Sequence, residues 1–362
     1  MLNRLGESHF ALLPGELGVS ESTAPEASDG DLGIELRLLD HMMVVTRVES
    51  ASPAAHAAVR PGWVLLAIEG ESLRNDPGLS ELDGERERQL ARLELVSRYQ
   101  RRLRGPAGSP VTVEFLDESG GRRQLTMFRR VTPGQWIRLG SLPPQPVRFE
   151  WARETGTRGC IGVIRFDVWA PVVAPAFDEA MSELGDCDGV IVDLRGNLGG
   201  VAAMVMGLAG YFFDSEVLLG TLRMRGGELR YVANPRRVDR YARPLAPYQG
   251  RLAILVDELS ASTSEIFAAA MQSTQRARVF GSPTSGQALP SLATRLPNGD
   301  VLVYVIADFV APGNKRLEGC GITPDEVVEP DRETMLAGID LVLDRARRWI
   351  WESPPVGRVP PP

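Results

Sequence analysis

Apolar and polar positions change period several times along this chain, and each change marks an element. Residues 252–256 (LAILV), 190–194 (VIVDL) and 160–166 (CIGVIRF) are short, aliphatic and rich in β-branched side chains, the pattern of strands buried on both faces. Helical spacing follows each of them, over 265–275, 202–213 and 172–184. Further strands are expected at 279–281 and 301–307, and a closing helix over 334–351. The alternation predicts an α/β core over residues 133–351, entered through a bridge at 133–147 that holds four prolines. Shorter runs at 32–36, 43–48 and 59–68, with a hairpin of 111–115 and 123–128, predict a separate small β domain over 30–132. It carries a charged helix over 83–104, with Leu90, Leu93, Val96 and Leu103 on one stripe. At the start, the last turns of a helix run into Ser8-His9-Phe10 and a strand at 11–13, so residues 1–29 form an N-terminal segment and linker. Residues 352–362 read as a disordered, proline-rich tail.

Composition narrows the classes. A chain of 362 residues has room for two domains, and a net charge of −7 argues against a nucleic-acid surface. No apolar run is long enough for a transmembrane span, and the first residues lack the apolar core of a signal peptide. Lys315 is the single lysine. Cys160, Cys187 and Cys320 are odd in number and lack metal-ligand spacing, so buried thiols are expected rather than a disulfide framework. Nothing in the pattern calls for a metal or cofactor.

Candidate chemistry gathers where the strand at 252–256 meets its helix. Ser262 stands three residues before Glu265, the spacing of a capping box, so it can serve simply as a helix cap. The same position, at the carboxyl end of a buried strand and the start of a helix, is where N–H groups and the helix dipole favour developing negative charge, and it makes Ser262 a candidate nucleophile. Upstream, Gly196, Gly199 and Gly200 lead from a strand into a helix and let a backbone approach a ligand closely. This is neither a phosphate loop nor a dinucleotide fingerprint, because both spacings are missing.

Three ordered motifs carry a resemblance: Asp193-Leu194-Arg195-Gly196-Asn197-Leu198-Gly199-Gly200, then Ser260-Ala261-Ser262-Thr263-Ser264-Glu265-Ile266-Phe267, then Glu318-Gly319-Cys320-Gly321-Ile322-Thr323-Pro324-Asp325. Together they resemble the C-terminal-processing (tail-specific) serine proteases, and Arg4-Leu5-Gly6-Glu7-Ser8-His9 resembles the Ser-His segment of the tricorn-core branch. The resemblance implies a spiral ClpP/crotonase-like α/β protease core with an inserted or preceding PDZ-like β domain. It also implies a serine endopeptidase: Ser262 as nucleophile, His9 as general base, Ser8 and Glu318 orienting it, and an oxyanion hole from the N–H of Gly199 or Gly200 and of Thr263. Residues Leu32, Gly33 and Ile34 would receive the carboxylate of an extended peptide by β-augmentation. A peptide or protein substrate, an extracytoplasmic location and room for a homo-oligomer follow from the same likeness.

The sequence departs from better-known members in two places. Gln287 stands where they carry the lysine of a Ser/Lys dyad, and an amide cannot accept the serine proton. Lys315, in the polar segment 312–316, is a poor substitute, which leaves His9 as the base. Cys320 has no base indicated beside it. His9 also lies only eight residues from Met1, which suggests a chain that has lost an upstream part. The alternatives are a catalytically inactive peptide- or ligand-binding protein on the same fold, akin to the photoreceptor retinoid-binding protein, and a crotonase-like coenzyme A enzyme.

Overall fold

The two strongest strand signals, Gly189–Asp193 and Arg251–Val256, lie side by side and parallel at the middle of one sheet. In the computed structural model, which describes residues 8–14, 29–73, 82, 84–157 and 159–352, this sheet has six strands. Their order is Phe149–Gly156, Gly159–Phe166, Gly189–Asp193, Arg251–Val256, Arg278–Gly281 and Glu326–Val327. The first two form an antiparallel hairpin and all later pairs are parallel. Central strands buried on both faces need apolar side chains at every position, which is why these segments run without alternation. Helices Val173–Leu184 and Thr263–Ser273 bury their apolar faces in the same core, around Phe166, Trp169, Phe177 and Phe267. The helix expected up to Ser8, the linker beyond Pro14 and the tail from residue 353 lie outside the described residues.

The chain divides into two compact units: one takes in the chain up to Ser22, Gly134–Val328 and Arg345 onward, the other Thr23–Pro133 with Glu329–Asp344. The second unit is built on antiparallel strands in the order Ile34–Leu39, Met42–Val48, Val64–Ile68, Pro110–Leu116 and Arg122–Phe128. Helix Glu85–Leu103 packs against it through Leu93, Leu95, Val96, Tyr99 and Leu103, while Leu90 of the expected stripe is exposed. Among the described residues no helix is long and apolar enough to cross a membrane.

Several expectations change. The run 301–307 is two strands, Val301–Val305 and Ala307–Ala311, which part at Ile306 to join different sheets. The closing helix is two, Arg332–Leu336 and Leu341–Glu352, interrupted around Gly338. Helix 202–213 shortens to Met204–Ala209, capped at Gly210, where a Cβ would stand 2.4 Å from the Asn234 carbonyl. Cys160 and Cys187 are joined in a disulfide rather than being separate buried thiols: strand Gly159–Phe166 and the loop after Val173–Leu184 bring their Cα atoms to 4.8 Å across 27 residues. Cys320 is the remaining thiol and is exposed.

Candidate active site

The turn from strand Arg251–Val256 into helix Thr263–Ser273 is fixed from several sides. Asp257 Oδ1 accepts the N–H of Gly196 at 2.9 Å, Ser260 Oγ donates to the Leu194 carbonyl at 2.8 Å, and the Asn197 carbonyl accepts from Ala261 N–H and Ser264 Oγ. Ser262 is thereby held at φ 56° and ψ −116°. A non-glycine residue there costs on the order of 1–3 kcal/mol and persists only where its surroundings over-determine it. The N–H of Ser262 donates to the Gln287 carbonyl at 2.8 Å and to Glu265 Oε2 at 3.1 Å.

Glu265 was legible only as a cap. Its carboxylate is wholly buried and accepts, besides Ser262, the N–H of Gly286 at 2.9 Å and the hydroxyl of Thr284 at 2.5 Å. Burial pushes it up to about 7, against the opposing pull of these donors.

The glycine loop lies against this turn. A side chain on Gly199 would put its Cβ 2.6 Å from Ser262 Cβ, and one on Gly200 would stand 2.3 Å from the Trp169 carbonyl, so neither position admits another residue without movement. Both have positive φ, 100° and 143°. Gly199 N–H is taken by Asn197 Oδ1 at 2.9 Å, and the Gly200 carbonyl accepts from Thr263 Oγ1 at 2.9 Å. At the foot of the loop Asp193 is buried, yet Arg195 and Arg165 outweigh that burial and hold its carboxyl well below the usual range.

His9, Ser8 and Glu318 come together although 310 residues separate Ser8 from Glu318. Glu318 is buried; its Oε1 accepts Ser8 N–H at 3.0 Å and its Oε2 accepts Ser8 Oγ at 2.8 Å. Ser8 Oγ lies 2.7 Å from His9 Nδ1. Because the single hydroxyl proton of Ser8 goes to the carboxylate, Nδ1 must donate, and Nε2 is left as the acceptor. Burial pulls the His9 pKa below its ordinary value, against the nearby Glu318 charge, and so favours the neutral ring. The segment is anchored by strand Ala11–Leu13, which pairs with Val301–Val305. One peptide group joins the two halves: the Gln287 carbonyl takes Ser262 N–H, and the Ala288 N–H of the same group donates to Glu318 Oε2 at 3.0 Å. Lys315 sits in the exposed pair Lys315–Arg316.

The class that comparison with known proteins supports is a serine-type peptidase. Residues 160–328 match the model for peptidase family S41. The carboxyl-terminal-processing protease of Synechocystis is 29% identical over 335 residues, covering 91% of this chain and 69% of that protein. The chloroplastic carboxyl-terminal-processing peptidase 3 of Arabidopsis thaliana is 27% identical over 308 residues, 82% of this chain and 54% of its own length. The chain therefore spans about half the length of that second relative. Among solved structures, the photosystem II D1 C-terminal processing protease has a TM-score of 0.57 at 21% identity, covering 94% of this chain and 85% of its own. A putative S41 protease from Bacteroides fragilis gives 0.59 at 15%, with the same coverages. These likenesses establish the fold.

Proposed function

We propose that this chain is a serine endopeptidase that works without a lysine. Ser262 Oγ attacks the scissile carbonyl carbon while His9 Nε2 takes its proton; the carbonyl becomes an oxyanion. Collapse of that intermediate breaks the C–N bond, and His9 returns the proton to the leaving amine. Water, activated by the same nitrogen, then hydrolyses the acyl-enzyme. Since Gly199 N–H is engaged by Asn197, the loop's share of the oxyanion hole falls to Gly200, beside the N–H of Thr263. Ser8 and Glu318 hold the ring in one tautomer.

The observation that carries this reading is the Glu318–Ser8–His9 chain of hydrogen bonds, tied to the Ser262 backbone through one peptide group. The small β unit is read as a PDZ-like module that takes an extended peptide, its carboxylate received at Leu32, Gly33 and Ile34. An extracytoplasmic site of action goes with the family. Labelling of the purified chain with a fluorophosphonate probe tests the chemistry. It should require Ser262 and His9 and survive Lys315→Ala. Absent labelling beside intact peptide binding would favour a non-catalytic binding protein instead.

A further inference from the structure

In the small β unit, strand Ile34–Leu39 is the edge of its sheet, and helix Glu85–Leu103 packs along it. An extended peptide adding to this edge would use the outward carbonyl of Ile34 and both the N–H and the carbonyl of Leu36, since in a strand the polar groups of residues i and i+2 face the same side. All three are already occupied by side chains. Gln100, from the helix, donates through Nε2 to the Ile34 carbonyl at 2.6 Å and accepts the Leu36 N–H on Oε1 at 3.2 Å. Arg37 Nη1 donates to the Leu36 carbonyl at 2.8 Å.

Immediately before these rungs the chain is shaped to receive an anion. The carbonyls of Leu32 and Gly33 are tied inward to the N–H groups of Ala54 and Glu49, at 3.1 and 2.8 Å. Across a trans peptide the next N–H points the other way, so those of Gly33 and Ile34 face opposite to the inward carbonyls. Gly33, at φ 69°, makes this possible, and a Cβ there would meet Ser52 Cβ at 2.3 Å.

We propose that the Gln100 amide acts as a built-in mimic of a peptide backbone, closing the groove until a peptide with a free terminal carboxylate displaces it. This rests on the reading of the unit as a peptide-binding module. Gln100 then sets affinity by competition: the groove is open only in the fraction of molecules whose Gln100 has swung away, and the apparent affinity is reduced by that fraction. A peptide that presents its own N–H and C=O at this register takes over both bonds, so the cap selects for extended backbone over bulkier ligands that cannot pair there.

The test uses the full chain and an equimolar pool of fluorescein-labelled ten-residue peptides, each with a free carboxylate and Ala, Val, Leu or Phe at its last three positions. Binding is followed by anisotropy for wild type, Gln100→Ala and Gln100→Met, the last keeping side-chain length and helix propensity. Both variants should bind about tenfold more tightly, the scale of two lost competing hydrogen bonds of modest net strength. Without peptide, hydrogen exchange in Ile34–Leu39 should speed up in the variants, and peptide should restore its protection. A Gln100 that only glues helix to strand would leave affinity unchanged or lower it, and that result overturns the proposal while leaving the peptide-binding reading intact. No binding by any of the three chains would remove that reading, and the proposal with it.

Discussion

The Ser262 turn and the His9 arm are held in different ways. Ser262 is enclosed by a central strand, a helix start, the glycine loop and the buried Glu265, all within one continuous core. His9 stands on a short segment, fixed by the pairing of Ala11–Leu13 and by two hydrogen bonds from Ser8 to Glu318. Both residues have positive φ, 56° and 61°, but only the first is locked from every side. The Ser262 turn is thus preformed by the core, whereas the His9 segment is docked onto it. A docked segment can be weakened without unfolding the protein, and that distinction can be probed directly.

The largest effect should come from the enclosed side. Ser262→Ala should lower peptide cleavage by on the order of 10⁴ or more, with thermal stability close to wild type, because alanine keeps the backbone bonds. A variant retaining appreciable turnover would move the nucleophile elsewhere. Next, Glu318→Gln attacks the docked side. A glutamine amide donates to Ser8 Oγ, frees the Ser8 proton for His9 Nδ1 and leaves the wrong tautomer, so kcat should fall by roughly 10² to 10⁴ with KM little changed. Equal losses of folding stability and activity would instead mean that Glu318 only braces the core.

A smaller effect concerns Glu265, whose folded pKa of about 7 exceeds the ordinary 4.5. The folded state therefore holds a proton that the unfolded state has released, and stability from this group is present below pH 4.5 and lost as pH rises through 7. The change amounts to about 3 kcal/mol at most. Denaturant unfolding across that window should show the slope in wild type, and Glu265→Gln should remove it; an unchanged slope would assign it to another group. Smallest is a difference in local opening. Amides of Ala11–Leu13 should exchange at least about tenfold faster than those of Arg251–Val256, since short edge pairings open below the global free energy. Equal protection would mean that the arm is as fixed as the core.

Legibility in the sequence follows the same division. The strand, turn and helix around Ser262 were readable because the unbroken apolar run, the Ser-x-x-Glu spacing and the glycine loop are local signals. Gly199 lies against Ser262, and the Gly200 carbonyl accepts from the Thr263 hydroxyl. Nothing local marked His9 or Glu318; their partnership spans the chain and was suggested by resemblance alone. Glu265 was assigned a helix cap because spacing reveals its bond to Ser262 but not the burial that raises its pKa. The disulfide was missed because an odd cysteine count says nothing of which strand meets which loop. The run 301–307 failed because continuous apolarity does not show where a chain leaves one sheet for another.

The central claim is that a histidine on the docked arm, and no lysine, activates Ser262. The most direct measurement is the rate of fluorophosphonate inactivation against pH for wild type and for Lys315→Ala. Burial lowers the His9 pKa, so the rate should be flat above neutrality and fall as pH drops through a midpoint below 6.5, identically in both chains. A rate that keeps rising above pH 8, or one that collapses in Lys315→Ala, would contradict it.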